Sequence, residues 1–148
     1  QMCIRDRSKR EEQILARRAE LIEQFKAADR LIIAMPMHNF TVTSRLKDYL
    51  DNIIMGGQTF QFSENGPQGL MGGHKALLVQ SSGSVYSTGP LAPWEQSYPF
   101  LRTAFGMLGF NSTDIVRAEG TMDPNIGPDV AVERACAELE QKLPEFLA

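Results

Sequence analysis

Cysteine is scarce here. The 148-residue chain has two, Cys3 and Cys136, too few for a disulfide framework. Neither has a histidine partner nearby in sequence and no Gly-x-Ser-x-Gly elbow occurs, so nothing points to nucleophilic catalysis. Only two histidines, His38 and His74, are present, with no cluster of further ligand residues around either, and no metal site is expected. Long apolar runs are missing too, since no stretch approaches the about 20 residues that a bilayer crossing needs, and there is no signal-peptide pattern. Basic excess is absent: the net charge is −3, and Arg5, Arg7, Lys9 and Arg10 read as a solvated helix start rather than a nucleic-acid surface. Repeats, linkers and low-complexity tracts are also lacking. With 43% hydrophobic residues, the composition predicts a soluble, cytoplasmic, single-domain protein with no membrane or nucleic-acid partner.

What is present is an alternation of short apolar runs and helical patterns. Leu31, Ile32, Ile33 and Ala34 predict a strand of a parallel sheet covered by helices on both faces, stopped by Pro36. Thr41 or Thr43 then caps a helix whose face carries Leu46, Tyr49, Leu50, Ile53 and Ile54 before Gly56-Gly57. The loop between them, Met37-His38-Asn39-Phe40, falls at the carboxyl end of a strand, where open α/β sheets bind ligands. Met37 and Phe40 offer flat apolar contact, and Asn39 with the local amides offers hydrogen bonds, a combination that suits a flavin ring. An ordinary connection has the same composition.

Thr59-Phe60-Gln61-Phe62 followed by Asn65-Gly66-Pro67 predicts a small extended excursion. Lys75 to Val79 reads as a second buried strand, ending in the polar turn Ser81-Ser82-Gly83-Ser84. Pro93 is placed to begin a helix with Tyr98, Leu101, Phe105 and Leu108 on its inner face, and Trp94 is expected to cap that core. A third strand is expected over residues 114–119. A last helix follows, with Val132, Ala135, Cys136, Leu139 and Leu143 facing inward, Cys136 as a buried small hydrophobe, and Pro144 ending or kinking it. Residues 8–28 predict a charged amphipathic helix with Ile14, Leu15, Leu21, Ile22 and Phe25 inward. Residues 1–7 fit no element and read as an extraneous leader.

Four stretches carry a resemblance: Pro36-Met37-His38-Asn39-Phe40, Leu46-Lys47-Asp48-Tyr49-Leu50-Asp51, the long run from Thr59-Phe60-Gln61-Phe62 through Asn65-Gly66-Pro67 to Leu70, and Ala118-Glu119-Gly120. Residues 28–120 resemble the FMN-dependent NADH-azoreductases, also described as NAD(P)H:quinone oxidoreductases of flavodoxin-like fold. The resemblance implies FMN contacts at Met37, His38, Asn39 and Phe40 and at Ser81, Ser82, Gly83 and Ser84. It implies a homodimer in which the Phe60 and Phe62 excursion lies at the interface and over the flavin. It also implies ping-pong chemistry: NADH gives hydride to flavin N5, then a quinone or aromatic azo compound receives it. Two departures stand out. His38 replaces an aromatic, and Ser81-Ser82-Gly83-Ser84 replaces Ser-Arg-Gly-Gly, which removes a charge and puts a side chain at position 84, restrictive if that backbone needs positive φ.

The implied fold is a three-layer α/β/α sandwich, but a flavodoxin-like sheet has five strands in the order 2-1-3-4-5 and only three principal ones are legible here. The expectation is therefore a partial flavodoxin-like domain over residues 8–148, lacking the N-terminal strands and their serine-rich phosphate loop. Two other readings stay open. One is a cofactor-free fragment that binds a partner along the open edge of the Leu31 strand, and the other is an FMN electron carrier rather than an enzyme.

Overall fold

The computed structural model describes residues 8–148, so the leader over residues 1–7 lies outside the described residues. Helix α1 (Lys9–Ala27) starts on a capping box in which the Ser8 hydroxyl accepts the Glu11 N–H and the Glu11 carboxylate accepts the Ser8 N–H. Strand β1 (Arg30–Pro36) leads to α2 (Ser44–Ile53), whose cap is Thr43 and not Thr41. A hairpin of β2 (Phe60–Ser63) and β3 (Gly66–Gly69) follows, then β4 (Lys75–Ser82), a 3-10 turn (Ala92–Trp94), α3 (Ser97–Leu108), β5 (Ser112–Glu119) and α4 (Gly127–Leu147). The main sheet is parallel throughout, in the order β1-β4-β5. β2 and β3 form a separate antiparallel hairpin, with Gly56 in an isolated parallel bridge to Phe60.

Helices α1, α2 and α3 share one face of the sheet. Phe25, Leu50, Ile53, Leu101, Phe105 and Leu108 meet Met35, Ala76, Leu78 and Ile115 there. Helix α4 covers the other face, where Ala135 and Phe146 meet Leu77, Val116 and Ala118. The arrangement is the expected α/β/α layering, and each fully buried Leu or Phe contributes about 1.5–3 kcal/mol. β4, in the middle, is buried on both faces.

Several expectations of burial fail where the covering element falls short: α4 packs chiefly on β5 and β4 and meets β1 at Arg30. β1 is not covered on both faces, because Ile32 is 56% exposed and Ala34 is exposed beside it. Val132 and Cys136 stand on the outer side of α4 and are exposed, so Cys136 is no buried hydrophobe. Ile14 and Leu15 are also exposed, since α2 is ten residues long and supports only the second half of α1. Pro144 does not end α4. The helix runs on because Phe146 is buried, and because Arg30 Nε and Lys75 Nζ donate to the carbonyls of Phe146 and Glu145 at 2.7 Å each, satisfying acceptors of the last turn.

Pro93 does not begin α3 either. The helix starts at Ser97, where the buried Glu95 carboxylate accepts the N–H groups of Ser97 (2.7 Å) and Tyr98 (2.9 Å). Burial pushes the Tyr49 phenol on α2 above its ordinary value near 10. The folded state then keeps that proton to higher pH than the unfolded chain does, so stability present below about pH 10 is lost above it.

His74, before β4, is buried against Phe110 (ring centroids 5.4 Å) and Phe25 (6.3 Å). Both ring nitrogens lack a hydrogen-bond partner among the described residues. An unmatched buried polar group costs about 1–3 kcal/mol, so His74→Leu is expected to raise the urea midpoint by about 1 kcal/mol of stability. A lowered midpoint would mean that the ring nitrogens are satisfied. No helix among the described residues is long and apolar enough to cross a membrane.

Candidate functional site

Parallel pairing brings the carboxyl ends of β1, β4 and β5 side by side, with Pro36 opposite Ser81 and Ser82 opposite Glu119. The loop after β1 closes on itself: the His38 N–H donates to the Thr41 carbonyl (3.0 Å) and the Thr41 N–H returns to the His38 carbonyl (3.1 Å). The two residues inside this turn are left-handed, Asn39 with φ 48° and Phe40 with φ 68°. Asn is at home there, but a bulky residue is not, and the left-handed conformation costs it about 1–2 kcal/mol. Three contacts offset that strain. The Phe40 carbonyl accepts the Gln96 N–H (2.8 Å), and its ring meets Trp94 edge-on at 5.3 Å and Tyr86 at 6.3 Å.

The loop after β4 is held by its backbone. The Ser82 carbonyl accepts the Thr121 N–H (3.1 Å) and hydroxyl (3.1 Å), the Gly83 carbonyl accepts the Met122 N–H (2.9 Å), and the Ser84 carbonyl accepts the Gly120 N–H (3.3 Å). Among the described residues Asn39 and Phe40 are the positive-φ residues other than glycine, so Ser84 carries no such strain and the restriction expected there does not arise. A Cβ on Gly83 would stand 3.0 Å from Met122 Sδ, the end of an exposed side chain that can swing aside. The Met37 N–H donates to the Ser81 carbonyl (2.7 Å), joining the two loops.

Between the loops lies a cavity of about 230 Å³, lined by Met37, Asn39, Phe40, Ser82, Gly83 and Tyr86. Five of the eight residues read from the sequence as flavin contacts therefore converge. His38 does not join them. It lines a neighbouring cavity of about 410 Å³ with Asn39, Thr41, Val42, Ser44, Lys47 and Phe100. Ser81 and Ser84 flank the first cavity through the backbone bonds above.

Phe60 and Phe62 lie elsewhere. Their hairpin sits at the amino end of the sheet, where Met71 N–H donates to the Leu108 carbonyl (2.8 Å) and Asn111 N–H to the His74 carbonyl (2.8 Å). Within one chain they cannot cover the loops at the carboxyl end. Phe62 is 79% exposed, with Phe60 against it at 5.4 Å.

Two residues escaped the sequence reading. Tyr86 follows Gly83 in a stretch with no periodicity, and Trp94 looked like a core cap. Trp94 is instead 53% exposed and completes an aromatic corner on Phe40. The nearest available signal was spacing: both follow a strand end within the connection to α3.

A family profile described as a flavodoxin-like fold, Flavodoxin_2, matches residues 2–143. An FMN-dependent NADH:quinone oxidoreductase 1 of Lactiplantibacillus plantarum is 39% identical over 139 residues, 92% of this chain and 65% of that protein. An FMN-dependent NADH:quinone oxidoreductase of Hydrogenovibrio crunogenus is 37% identical over 142 residues, 96% of this chain and 68% of that one. The crystal structure of an FMN-dependent NADH-azoreductase from Bacillus anthracis in complex with FMN superposes with a TM-score of 0.90 at 32% identity, covering 97% of this chain and 68% of its own. The chain thus spans about two thirds of the length of these relatives.

Proposed function

The chain belongs to the Flavodoxin_2 family of flavodoxin-like fold, beside the FMN-dependent NADH:quinone oxidoreductases, and on that premise we propose that the cavity between its two loops receives the ring of FMN in an NADH:quinone oxidoreductase that also reduces aromatic azo bonds. The observation that carries this reading is the pair of left-handed residues Asn39 and Phe40. Strain kept at a ligand-facing turn, where a glycine would be free of it, is what a site that needs a particular side chain retains.

The residues fit the group. Met37, Phe40 and Tyr86 supply apolar and aromatic wall, Asn39 supplies an amide, and the Gly83 and Ser84 N–H groups, anti to carbonyls turned toward residues 121 and 122, point away from those residues. At about 230 Å³ the cavity has room for part of a ring system, which leaves one face open to a second molecule. His38 and the adjoining cavity of about 410 Å³ are the natural seat for that molecule, a quinone or an azo compound. FMN held there would supply the redox chemistry, ping-pong hydride transfer through its N5 from NADH to the acceptor. The chain's own part is to orient the ring and exclude water.

The hairpin enters through symmetry. Because Phe60 and Phe62 lie at the end of the sheet remote from the pocket in their own chain, their use as a lid requires a second copy, and the exposure of Phe62 supports a homodimer. We place the protein in the cytoplasm.

The test is titration with FMN, followed by NADH oxidation with benzoquinone, in the 148-residue chain and in one extended at its N-terminus by a relative's strand and phosphate loop. Flavin-dependent NADH oxidation is the expected result. An extended chain that binds FMN and turns over no quinone or azo acceptor would leave an electron carrier, and one that binds no FMN would sink the reading. A second reading, a cofactor-free module that adds a partner's strand to β1, is favoured by the bare Ile32 face and by the outer edge of β1, unpaired among the described residues. A monodisperse monomer in sedimentation would count against it.

A further inference from the structure

We propose that Glu119 is a positioning residue of this pocket: its carboxylate holds the segment carrying Tyr86, and so sets the aromatic wall against which the flavin ring packs. The proposal rests on the flavin reading above but names a residue that reading does not use.

Residues 85–88 have no regular secondary structure. They follow the loop at β4 and precede the 3-10 turn, and the backbone bonds to residues 120–122 stop at Ser84. Beyond that point, Glu119 is the one group among the described residues that bonds to them. One carboxylate oxygen accepts the Tyr86 N–H (2.8 Å) and the Ser87 N–H (2.9 Å), and the other accepts the Ser87 hydroxyl. Glu119 pairs with no Lys or Arg within 4.0 Å among the described residues, so its charge is committed to these donors.

The choice of a carboxylate follows from the geometry. Three donors converge on one side chain, and only an acceptor-only group with two oxygens takes all three without a competing donor. Charge-assisted bonds are also the stronger kind. Glu119 is the last residue of β5, paired with Ser82 at the end of β4, so it is anchored on the sheet while it reaches the loop. Tyr86, fixed at its own N–H, presents its ring to Phe40 and to the cavity. A displaced Tyr86 opens that wall and removes one of the contacts that offset the strain at Phe40. On its far side Glu119 lines a separate cavity of about 450 Å³ with Arg117 and Arg134, which makes its carboxylate part of the partition between the two.

The experiment separates this role from the functional reading. Amide hydrogen exchange at Tyr86 and Ser87, and acrylamide quenching of Trp94, the single tryptophan of the chain, are compared in the wild-type 148-residue chain, Glu119→Ala and Glu119→Gln. Neither readout needs a cofactor. In Glu119→Ala the two amides are expected to exchange at least about tenfold faster while β4 and β5 keep their protection, and Trp94 becomes more quenchable. Glu119→Gln, which retains one acceptor oxygen, falls between. If Glu119→Ala does not fold, Glu119→Gln and Ser87→Ala carry the comparison, with a rise of about threefold expected at the same amides. Unchanged exchange at Tyr86 and Ser87 in these variants would overturn the proposal.

The second arm uses lumiflavin, the ring without its phosphate. Wild type is expected to bind it and Glu119→Ala to bind about tenfold more weakly. Equal binding by both would refute positioning even if the loop loosens. No binding by wild type would refute the flavin reading, while hydrogen exchange still decides what Glu119 holds.

Discussion

Gly69→Ala is expected to prevent folding or to cost at least about 3 kcal/mol, a large value for a single methyl group. Gly69 ends β3, and a Cβ built on it would stand 2.1 Å from the Leu108 carbonyl carbon and 2.3 Å from both the Leu108 oxygen and the Gly109 nitrogen. All three are backbone atoms, so no side chain can swing aside. Nor can the backbone retreat. Leu108 is fully buried, its carbonyl accepts the Met71 N–H, and Gly109 closes α3 with φ 90°. The hairpin is thus docked backbone to backbone against the end of α3. Urea unfolding followed by circular dichroism measures the cost, and a midpoint within about 1 kcal/mol of wild type would refute this docking.

Phe40→Gly should do the opposite, weakening flavin-ring binding at least about tenfold while leaving stability within about 1 kcal/mol of wild type. Glycine relieves about 1–2 kcal/mol of left-handed strain at this position. Against that stand the half-exposed edge contacts with Trp94 and Tyr86, worth about 0.5–1.5 kcal/mol each at most. The two nearly cancel for folding and do not cancel for binding, because the ring wall is lost. Phe40→Val, β-branched in a left-handed turn, should lose on both counts. Lumiflavin titration beside thermal unfolding checks the pair. A glycine variant that binds as well as wild type would remove Phe40 from the site.

The layering and the strand ends were legible because they follow from local pattern. Leu31 to Ala34 and Lys75 to Val79 are apolar runs of strand length, and Thr43 caps its helix in the usual way. Burial was less legible where it depends on a neighbour. Ile14 and Ile32 have the residue types of a core and no element over them, and periodicity does not reveal how far the opposite element extends. The ending expected at Pro144 does not occur because the bonds that support the end of α4 come from Arg30 and Lys75, more than sixty residues away in sequence.

The pocket divided in the same manner. Met37, Asn39, Phe40, Ser82 and Gly83 stood out because they sit directly at strand ends. Tyr86 reaches the pocket through a carboxylate thirty-three residues downstream, a contact that no local window contains. His38 stands between the same neighbours as the others, yet alternation along the tight turn sends it to the adjoining cavity.

The loop at Ser82 to Ser84 is fastened through three carbonyls to residues 120–122, and the Ser82 hydroxyl adds a bond to the Ser84 carbonyl (2.9 Å). Position 84, whose part in these bonds is its carbonyl, is therefore free to change without reshaping the loop. Such a loop separates inheritance of shape from inheritance of preference. An arginine or a glycine can replace Ser84 and alter what the neighbouring ring experiences, while the path of the chain around it is passed on intact.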